Sequence, residues 1–416
     1  MEIRDLAAGD LDAVLDIRTR AFGPISPGDA ETWRALVTPM LAEGRYLGAF
    51  DGPRLIGTAR VNPNVQWWHG RPMSMGGVAS VTVAPEDRGR GVGRAVMRAT
   101  VDRCADLGHV VSALFPATSP LYRSVGYEHA GAHTTMTLPA EQLRTLAGPS
   151  GGVKLRRMGP DDVPELIALL GRVYGSTRAS GPLCWDERSW RLWLDDDDDF
   201  CYLADDGFVI YRWSDGDIEV DNLVAGSEAT ARALWSLVGS ASSIARHVYA
   251  PVEPGDPMLW LLRERSSKEH LRQSRWMLRL IDAPGAVERR GFPAGVSVDT
   301  LIEIDDPQRS ANTGTWRLRV GSGSGALTPA DATGNIARGI TGDITGDITG
   351  DITGDITGDI TGDDVTRLPI GALSALFAGV PAATLRRAGR LTGGSPDADE
   401  ALDSAFRCDA YMIDSF

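Results

Sequence analysis

The stretch Val78 to Val101, VASVTVAPEDRGRGVGRAVMRATV, decides how the rest of the chain is read. Val81 and Val83 alternate with Ser80 and Thr82, the period of a strand, and Pro85 ends it. Val92, Ala95, Val96 and Ala99 follow at the i, i+3, i+4, i+7 spacing of an apolar helix face. Between them lies the turn Arg88-Gly89-Arg90-Gly91-Val92-Gly93. A strand feeding a glycine-rich turn at a helix N-terminus makes an anion site: the first amides lack intrahelical partners, the helix dipole favours negative charge, and glycines admit close approach. A P-loop would need Gly-Lys-Ser/Thr, and a dinucleotide fingerprint would need glycine where Arg94 stands. The turn is therefore a phosphate cradle of another kind, or a helix cap that binds nothing.

Downstream, His109 to Pro116 (HVVSALFP) reads as a second apolar strand, followed by Leu121 to Tyr127 in the pattern LYxxxGY. Tyr122 in that pattern is either a functional phenol or a packed core aromatic. Further out, Ile3 to Gly23 lies without a gap on Leu155 to Gly175, each a short strand, an aspartate (Asp10 or Asp162) and an apolar helix. Such self-similarity predicts a duplicated domain. The second copy would carry its turn near Val238 to Ala245 (VGSASSIA), where no arginine precedes paired glycines, so the copy reads as degenerate. Its tryptophans Trp185, Trp190, Trp193, Trp213, Trp235, Trp260 and Trp276 read as core and interface.

Two junctions divide the chain: AGPSGG from Ala147 to Gly152, and DAPG from Asp282 to Gly285. They predict domains over residues 1–147, 153–282 and 286–416. The third alternates like sheet through Val296, Val298, Ile302, Ile304, Trp316, Leu318 and Val320, then reads as a helix over Ile370 to Phe377. Six copies of ITGD fill residues 340–363. A glycine in every copy costs a helix about 1 kcal/mol each, so the array reads as a low-complexity surface insertion. The run Asp195 to Asp199 reads as a solvated loop.

Composition narrows the function. A chain of 416 residues with 43% apolar and 24% charged residues suits two or three soluble domains. A net charge of −14 argues against nucleic acid or an anionic membrane as main partner, and suits cationic ones. The four cysteines (Cys104, Cys184, Cys201, Cys408) form no CxxC, so neither a metal site nor a disulfide framework is expected. The N-terminus has no signal-peptide pattern and nowhere do 18 apolar residues run together, which predicts a cytoplasmic protein without membrane insertion.

The order strand, RxxGxG, helix, strand, LYxxxGY resembles the GNAT acetyltransferases, which bind acetyl-CoA. The whole layout, a GNAT domain, a degenerate copy and a small α+β domain, resembles the Eis family of aminoglycoside acetyltransferases. Supporting segments are ETWRALV (Glu31 to Val37), APGAVERRGF (Ala283 to Phe292) and ALDSAF (Ala401 to Phe406). The resemblance implies a mixed α+β fold of tandem GNAT domains, the first active, then a sterol-carrier-protein-like domain, assembled as a homohexamer. It implies acetyl-CoA as co-substrate, no metal, and a polycationic amine such as an aminoglycoside as acceptor. Protein lysines, polyamines and arylalkylamines are the alternative acceptors, and a non-catalytic acyl-CoA- or lipid-binding protein is the alternative class.

The resemblance also implies roles. Val81, Thr82 and Val83 would lie along the pantetheine and acetyl group. Gly89, Arg90, Gly91, Val92, Gly93 and Arg94 would hold the pyrophosphate, with Ala117 and Thr118 also touching the cofactor. Tyr122 would protonate the departing thiolate; a phenol of pKa about 10 is a reasonable match for a thiol. The general base would be the terminal carboxylate of Phe416, with His129 and His133 as rivals and a merely packed Phe416 as the plain alternative. Ser415 stands where relatives often carry an acid, and Asp414 is the nearest substitute. Trp33 is expected either in the substrate cleft or buried on its helix.

Overall fold

The computed structural model describes residues 1–146, 152–262, 270–330 and 365–414. The ITGD array, Ser415 and Phe416 lie outside the described residues.

The duplication is visible in one local device. After β1 (Glu2–Asp5), Asp10 accepts from Arg4 at 2.9 Å and from the Ala7 amide at 2.9 Å, which fixes the entry to α1 (Leu11–Phe22). After β7 (Arg156–Arg157), Asp162 accepts from Arg156 at 2.7 Å and from the Gly159 amide at 2.9 Å, ahead of α6 (Val163–Ser176). The same carboxylate satisfies orphan amides at both helix starts.

The first lobe continues with α2 (Pro27–Ala42), β2 (Tyr46–Asp51), β3 (Arg54–Trp68), β4 (Arg71–Val83), α3 (Val92–Asp106), β5 (Val111–Leu114), α4 (Ser119–Arg123), β6 (Glu128–Pro139) and α5 (Ala140–Arg144). The second adds β8 (Leu183–Cys184), α7 (Glu187–Leu194), β9 (Phe200–Ala204), β10 (Gly207–Ser214), β11 (Asp217–Ala225), α8 (Glu228–Gly239), β12 (His247–Val252), α9 (Pro257–Leu261) and β13 (His270–Leu280). Both lobes share one sheet of order β1-β2-β3-β4-β5-β13-β6-β12-β11-β10-β9-β7, with β8 paired to β3. β13, late in the chain, is antiparallel to both β5 and β6 and so completes the first lobe, while β6 pairs with β12 of the second. The lobes are therefore joined by backbone hydrogen bonds.

The third lobe holds α10 (Ala283–Arg289), β14 (Val298–Asp305), β15 (Gly314–Gly321), β16 (Ser324–Pro329), β17 (Thr366–Pro369), α11 (Ile370–Phe377), α12 (Ala382–Arg387), β18 (Thr392–Gly393) and α13 (Pro396–Phe406). Its sheet runs β16-β15-β14-β17-β18. DAPG proves to be a helix start, since the Asp282 side chain accepts from the Gly285 amide at 3.1 Å. One buried arginine ties this lobe to the large sheet and a second braces the lobe from within. Arg279 of β13 pairs with Asp306 at 2.9 Å, and Arg290 donates to the carbonyls of Phe377 (2.7 Å) and Phe406 (3.0 Å).

After α13 the chain turns back between the first two lobes. Tyr411 bridges Ala132 of β6, the Tyr411 amide donates to Ser180 at 3.0 Å, and the Met412 amide donates to Ala132 at 3.0 Å. Gly131 and Gly181 make room for it: a Cβ on either would collide with the carbonyl of Ala410 or Tyr411.

Several expectations need correction. Thr82 is buried while Val81 and Val83 are half-buried, the reverse of the simple alternation. The register with β3 jumps from Ala79 opposite Arg60 to Thr82 opposite Thr58, so β4 carries one extra residue at Ser80, whose φ is 53°. A bulge switches the buried phase of a strand. The buried face of α3 is Val92, Val96, Met97, Thr100, Val101 and Cys104, with Ala95 and Ala99 at its half-buried edge. Trp213 and Trp260 are exposed and so stand outside the core. Asp199 is buried and accepts from Trp193 at 2.8 Å, so only the first four aspartates of its run are solvated.

Candidate active site

Parallel pairing of β4 with β5 covers only Met75–Gly77 against Val111–Ala113, after which the strands part. Beyond that point β4 turns through its bulge towards Pro85, and the glycine turn leads into α3. Gly89 and Gly91 adopt φ of 79° and 81°, and a Cβ on either would meet nothing within 4 Å. The turn thus exposes backbone amides at the N-terminus of α3, with open space in front of them, which suits a diphosphate. Behind it, Asp87 is clasped by Arg54 at 2.6 Å and by Arg90, and the Arg54 guanidinium holds its carboxyl below the usual range. Arg90 also reaches Asp51 at 3.2 Å, so its side chain braces the turn. Arg88 and Arg94 are exposed and take no part in an ion pair among the described residues.

Tyr122, on α4, is 5% exposed and packs with Val61, Val78, Met97, Leu114 and Val125. Its ring lies edge-on to Tyr127 at 6.4 Å, and burial raises its pKa above that of a free phenol. Tyr122 is thus both a core aromatic and a phenol held protonated at neutral pH. Ala117 and Thr118 are exposed where β5 leads into α4. Cys104, Cys184 and Cys201 are buried, which pushes each thiol up to about 12 and leaves them poor nucleophiles.

The opposite face of β3 opens on a second feature. Val61 faces α3, whereas Arg60, Asn62 and Asn64 line a cleft of about 520 Å³ between the lobes. Helix α2 supplies Thr32, Leu36 and Met40 to it, and the second lobe supplies Trp185, Trp193, Tyr249, Asp196, Glu219 and Asp221. Trp33 packs instead against the first lobe's core. Trp185 and Trp193 are in contact, their ring centroids 4.6 Å apart. Burial lifts the Asp221 carboxyl to about 6 against the pull of Arg212, which donates to it at 2.5 Å.

The returning tail closes one end. Ile413 and Asp414 line the cleft, and Asp414, fully buried, accepts from Asn222 at 2.7 Å. Burial raises its carboxyl to about 7, opposed by that bond. His133 of β6 also lines the cleft, while His129 stands apart, 3.0 Å from Ser119. A carbonyl only accepts, so the 3.0 Å contact of His133 Nδ1 with the Met412 carbonyl places the proton on Nδ1 and the lone pair on Nε2. Burial lowers the His133 pKa and keeps the ring neutral at pH 7. The sequence offers this histidine only as a rival base beside His129; the strand pairing brings it to the cleft and leaves His129 out.

The second lobe has the same strand–helix order but no cradle. The turn from β11 to α8 is Gly226-Ser227, with Ser227 accepting from the Thr230 amide at 3.3 Å. The equivalent turn precedes α8, whereas Val238 to Ala245 follows from its last residues, so the sequence reading looked at the wrong end of that helix. β11 and β12 also part after Glu219–Tyr249, and Tyr411 and Ile413 pack into that lobe's core between them. Among the described residues no group of His, Cys, Asp or Glu could hold a metal ion, and no helix is long and apolar enough to cross a membrane.

Comparison with known proteins agrees with this geometry. Residues 2–130 match a family described as acetyltransferase (GNAT) domain, and residues 181–280 match a second one of the same description. The crystal structure of a GCN5-related N-acetyltransferase from Kribbella flavida is 42% identical, with a TM-score of 0.88 over all of this chain and 98% of that one. The chain belongs to the GCN5-related N-acetyltransferases. Residues 283–412 of this GNAT protein match the sterol carrier protein domain family. The N-acetyltransferase Eis of Mycobacterium tuberculosis is 29% identical over 332 residues, 75% of this chain and 80% of that protein. Eis1 from Mycobacterium abscessus, 21% identical with a TM-score of 0.72 over both whole chains, shares the fold. Tandem GNAT domains followed by a sterol-carrier-like domain make this an acetyltransferase of the Eis type.

Proposed function

We propose that the protein transfers acetyl from acetyl-CoA to a primary amine of a cationic substrate, with aminoglycosides the first class to test, by direct attack in the first lobe. The observation that carries this reading is the parting of β4 from β5 beside the β4 bulge. On one face lie the glycine turn and Tyr122; on the other lies the cleft bearing Asp196, Glu219, Asp221 and Asp414. Acidic walls favour an ammonium-bearing acceptor. The amides of Gly89 to Arg94 would cradle the pyrophosphate, Val81 to Val83 would run along the pantetheine, and Ala117 and Thr118 would flank it. The amine nitrogen forms the new C–N bond, the C–S bond breaks, and Tyr122 gives its proton to the thiolate.

For the proton leaving the amine we propose the Phe416 carboxylate, two residues beyond Asp414, on the strength of the family resemblance and the course of the tail. A second reading rests on His133, a neutral imidazole in the cleft with its Nε2 lone pair available. The same resemblance leads us to propose a cytoplasmic homohexamer, which light scattering on the purified protein would check. The decisive experiment is CoA release from acetyl-CoA across aminoglycosides, polyamines, arylalkylamines, amino acids and lysine peptides. Turnover with any amine supports the enzyme reading. Silence with every amine, despite acetyl-CoA binding, would turn the protein into a binding module.

A further inference from the structure

The cleft holds an arginine that the proposed chemistry does not use. Arg60 is 8% exposed, and its Nε and Nη1 atoms are buried without a hydrogen-bond partner among the described residues. No described carboxylate lies within ion-pair distance of it. The ionisable side chain that faces it is the phenol of Tyr46, itself buried and held protonated. A guanidinium cannot shed its proton to escape this, and an unpaired buried charge is strongly disfavoured. The other arginine of the cleft differs, since Arg212 is already neutralised by Asp221, with Asp199 and Glu219 nearby. Two and four residues along the same face of β3, Asn62 and Asn64 each bury an amide atom without a partner, Oδ1 of the first and Nδ2 of the second. Arg60 stands opposite Ala79, next to the bulge at Ser80, and so at the edge of the proposed transfer site.

Resting on the acetyltransferase reading above, we infer that Arg60, assisted by Asn64, binds a carboxylate on the acceptor, so that the preferred substrates are amines that also carry a carboxylate, of the amino-acid or peptide type. The cleft is bipolar in the matching sense. Its first-lobe wall offers a bare guanidinium, and its second-lobe and tail walls offer Asp196, Glu219 and Asp414, the last with an unpartnered Oδ2. A bare polycation would satisfy one wall and leave Arg60 unpaired. A carboxylate-bearing amine satisfies both, and a carboxylate–guanidinium contact is the stronger, charge-assisted kind.

The test compares paired acceptors on the full-length protein: lysine against cadaverine, phenylalanine against phenethylamine, and a lysine-terminated peptide against its C-terminal amide. The expected result is a kcat/KM at least about tenfold higher for the carboxylate member, the size of one hydrogen bond to a charged group. In R60Q the ratio collapses to within about threefold of one, and R60K restores part of it. A wild-type ratio of one or below overturns the inference and needs no variant. So does an equal loss on both members of every pair in R60Q, which would assign Arg60 to the fold or to the chain's own terminal carboxylate. If wild type acetylates no amine at all, the acetyltransferase reading fails and this one with it; turnover without carboxylate preference removes this one alone.

Discussion

Replacing Tyr122 by Phe separates its packing in the core from the general-acid role proposed for it. The ring packs among Val61, Val78, Met97, Leu114 and Val125, and phenylalanine keeps those contacts. Burial is the cause that shifts its phenol, with no hydrogen bond contributing, so deleting the oxygen leaves no described group unsatisfied. Stability should then change by less than about 1 kcal/mol. Catalysis should change far more. Without the acid the thiolate departs unprotonated, a loss of about 10²-fold or more in kcat, or about 2.7 kcal/mol in the barrier. Since the raised pKa keeps the phenol protonated, the acid function is present throughout neutral pH and is lost only as pH rises through a value above about 10. The assay is CoA release at saturating amine from pH 6 to 9, with melting temperature and acetyl-CoA affinity as controls. A folded Y122F enzyme within threefold of wild-type kcat would refute the general-acid assignment and leave Tyr122 a core residue.

Four further perturbations follow the same logic. Gly91→Ala puts a side chain on a residue with φ of 81°, costing about 1–2 kcal/mol in stability, and should raise KM for acetyl-CoA several-fold with the amine KM unchanged; titration of both substrates checks it. Extending the chain by a few residues past Phe416 should abolish turnover at an unchanged melting temperature if the terminal carboxylate is the base, whereas His133→Gln should do so if the imidazole is; full activity in either variant dismisses that base. Asp414 carries a buried carboxyl raised to about 7, so the folded state holds a proton the unfolded chain has already lost. Its stability is complete below about pH 4 and falls as pH rises through about 7, by up to about 1.4 kcal/mol per pH unit. Melting curves should show a shallower fall in D414N, with Asp256 and Asp221, raised to about 7 and about 6, accounting for the remainder.

Much of the fold was legible in one dimension because its signals are local. The glycine turn, the helix of Val92 to Asp106 and the helix from Ile370 to Phe377 all follow from neighbours a few residues apart. The duplicated opening was legible for the same reason, since Arg4–Asp10 and Arg156–Asp162 are each six residues apart and close the same cap. The burial phase of β4 was not, because a single inserted residue at Ser80 reverses which side chains face the core, and nothing in SVTV marks it. The second lobe's turn was misplaced because its helix lacks the glycine run that marks the first.

By itself the sequence determined the architecture, the reaction class and the first-lobe glycine turn, all written in contiguous motifs whose backbone geometry needs no distant partner. The tertiary structure alone decided what lines the cleft between the lobes. Strand β13 enters between β5 and β6, the tail threads past Gly131 and Gly181 to bring Asp414 to the cleft, and His133 and Arg60 arrive there from strands far apart in the chain. Whether a charge is paired, and so whether it awaits a ligand, depends on which groups the fold sets within a few ångströms of it, and no spacing along the chain encodes that.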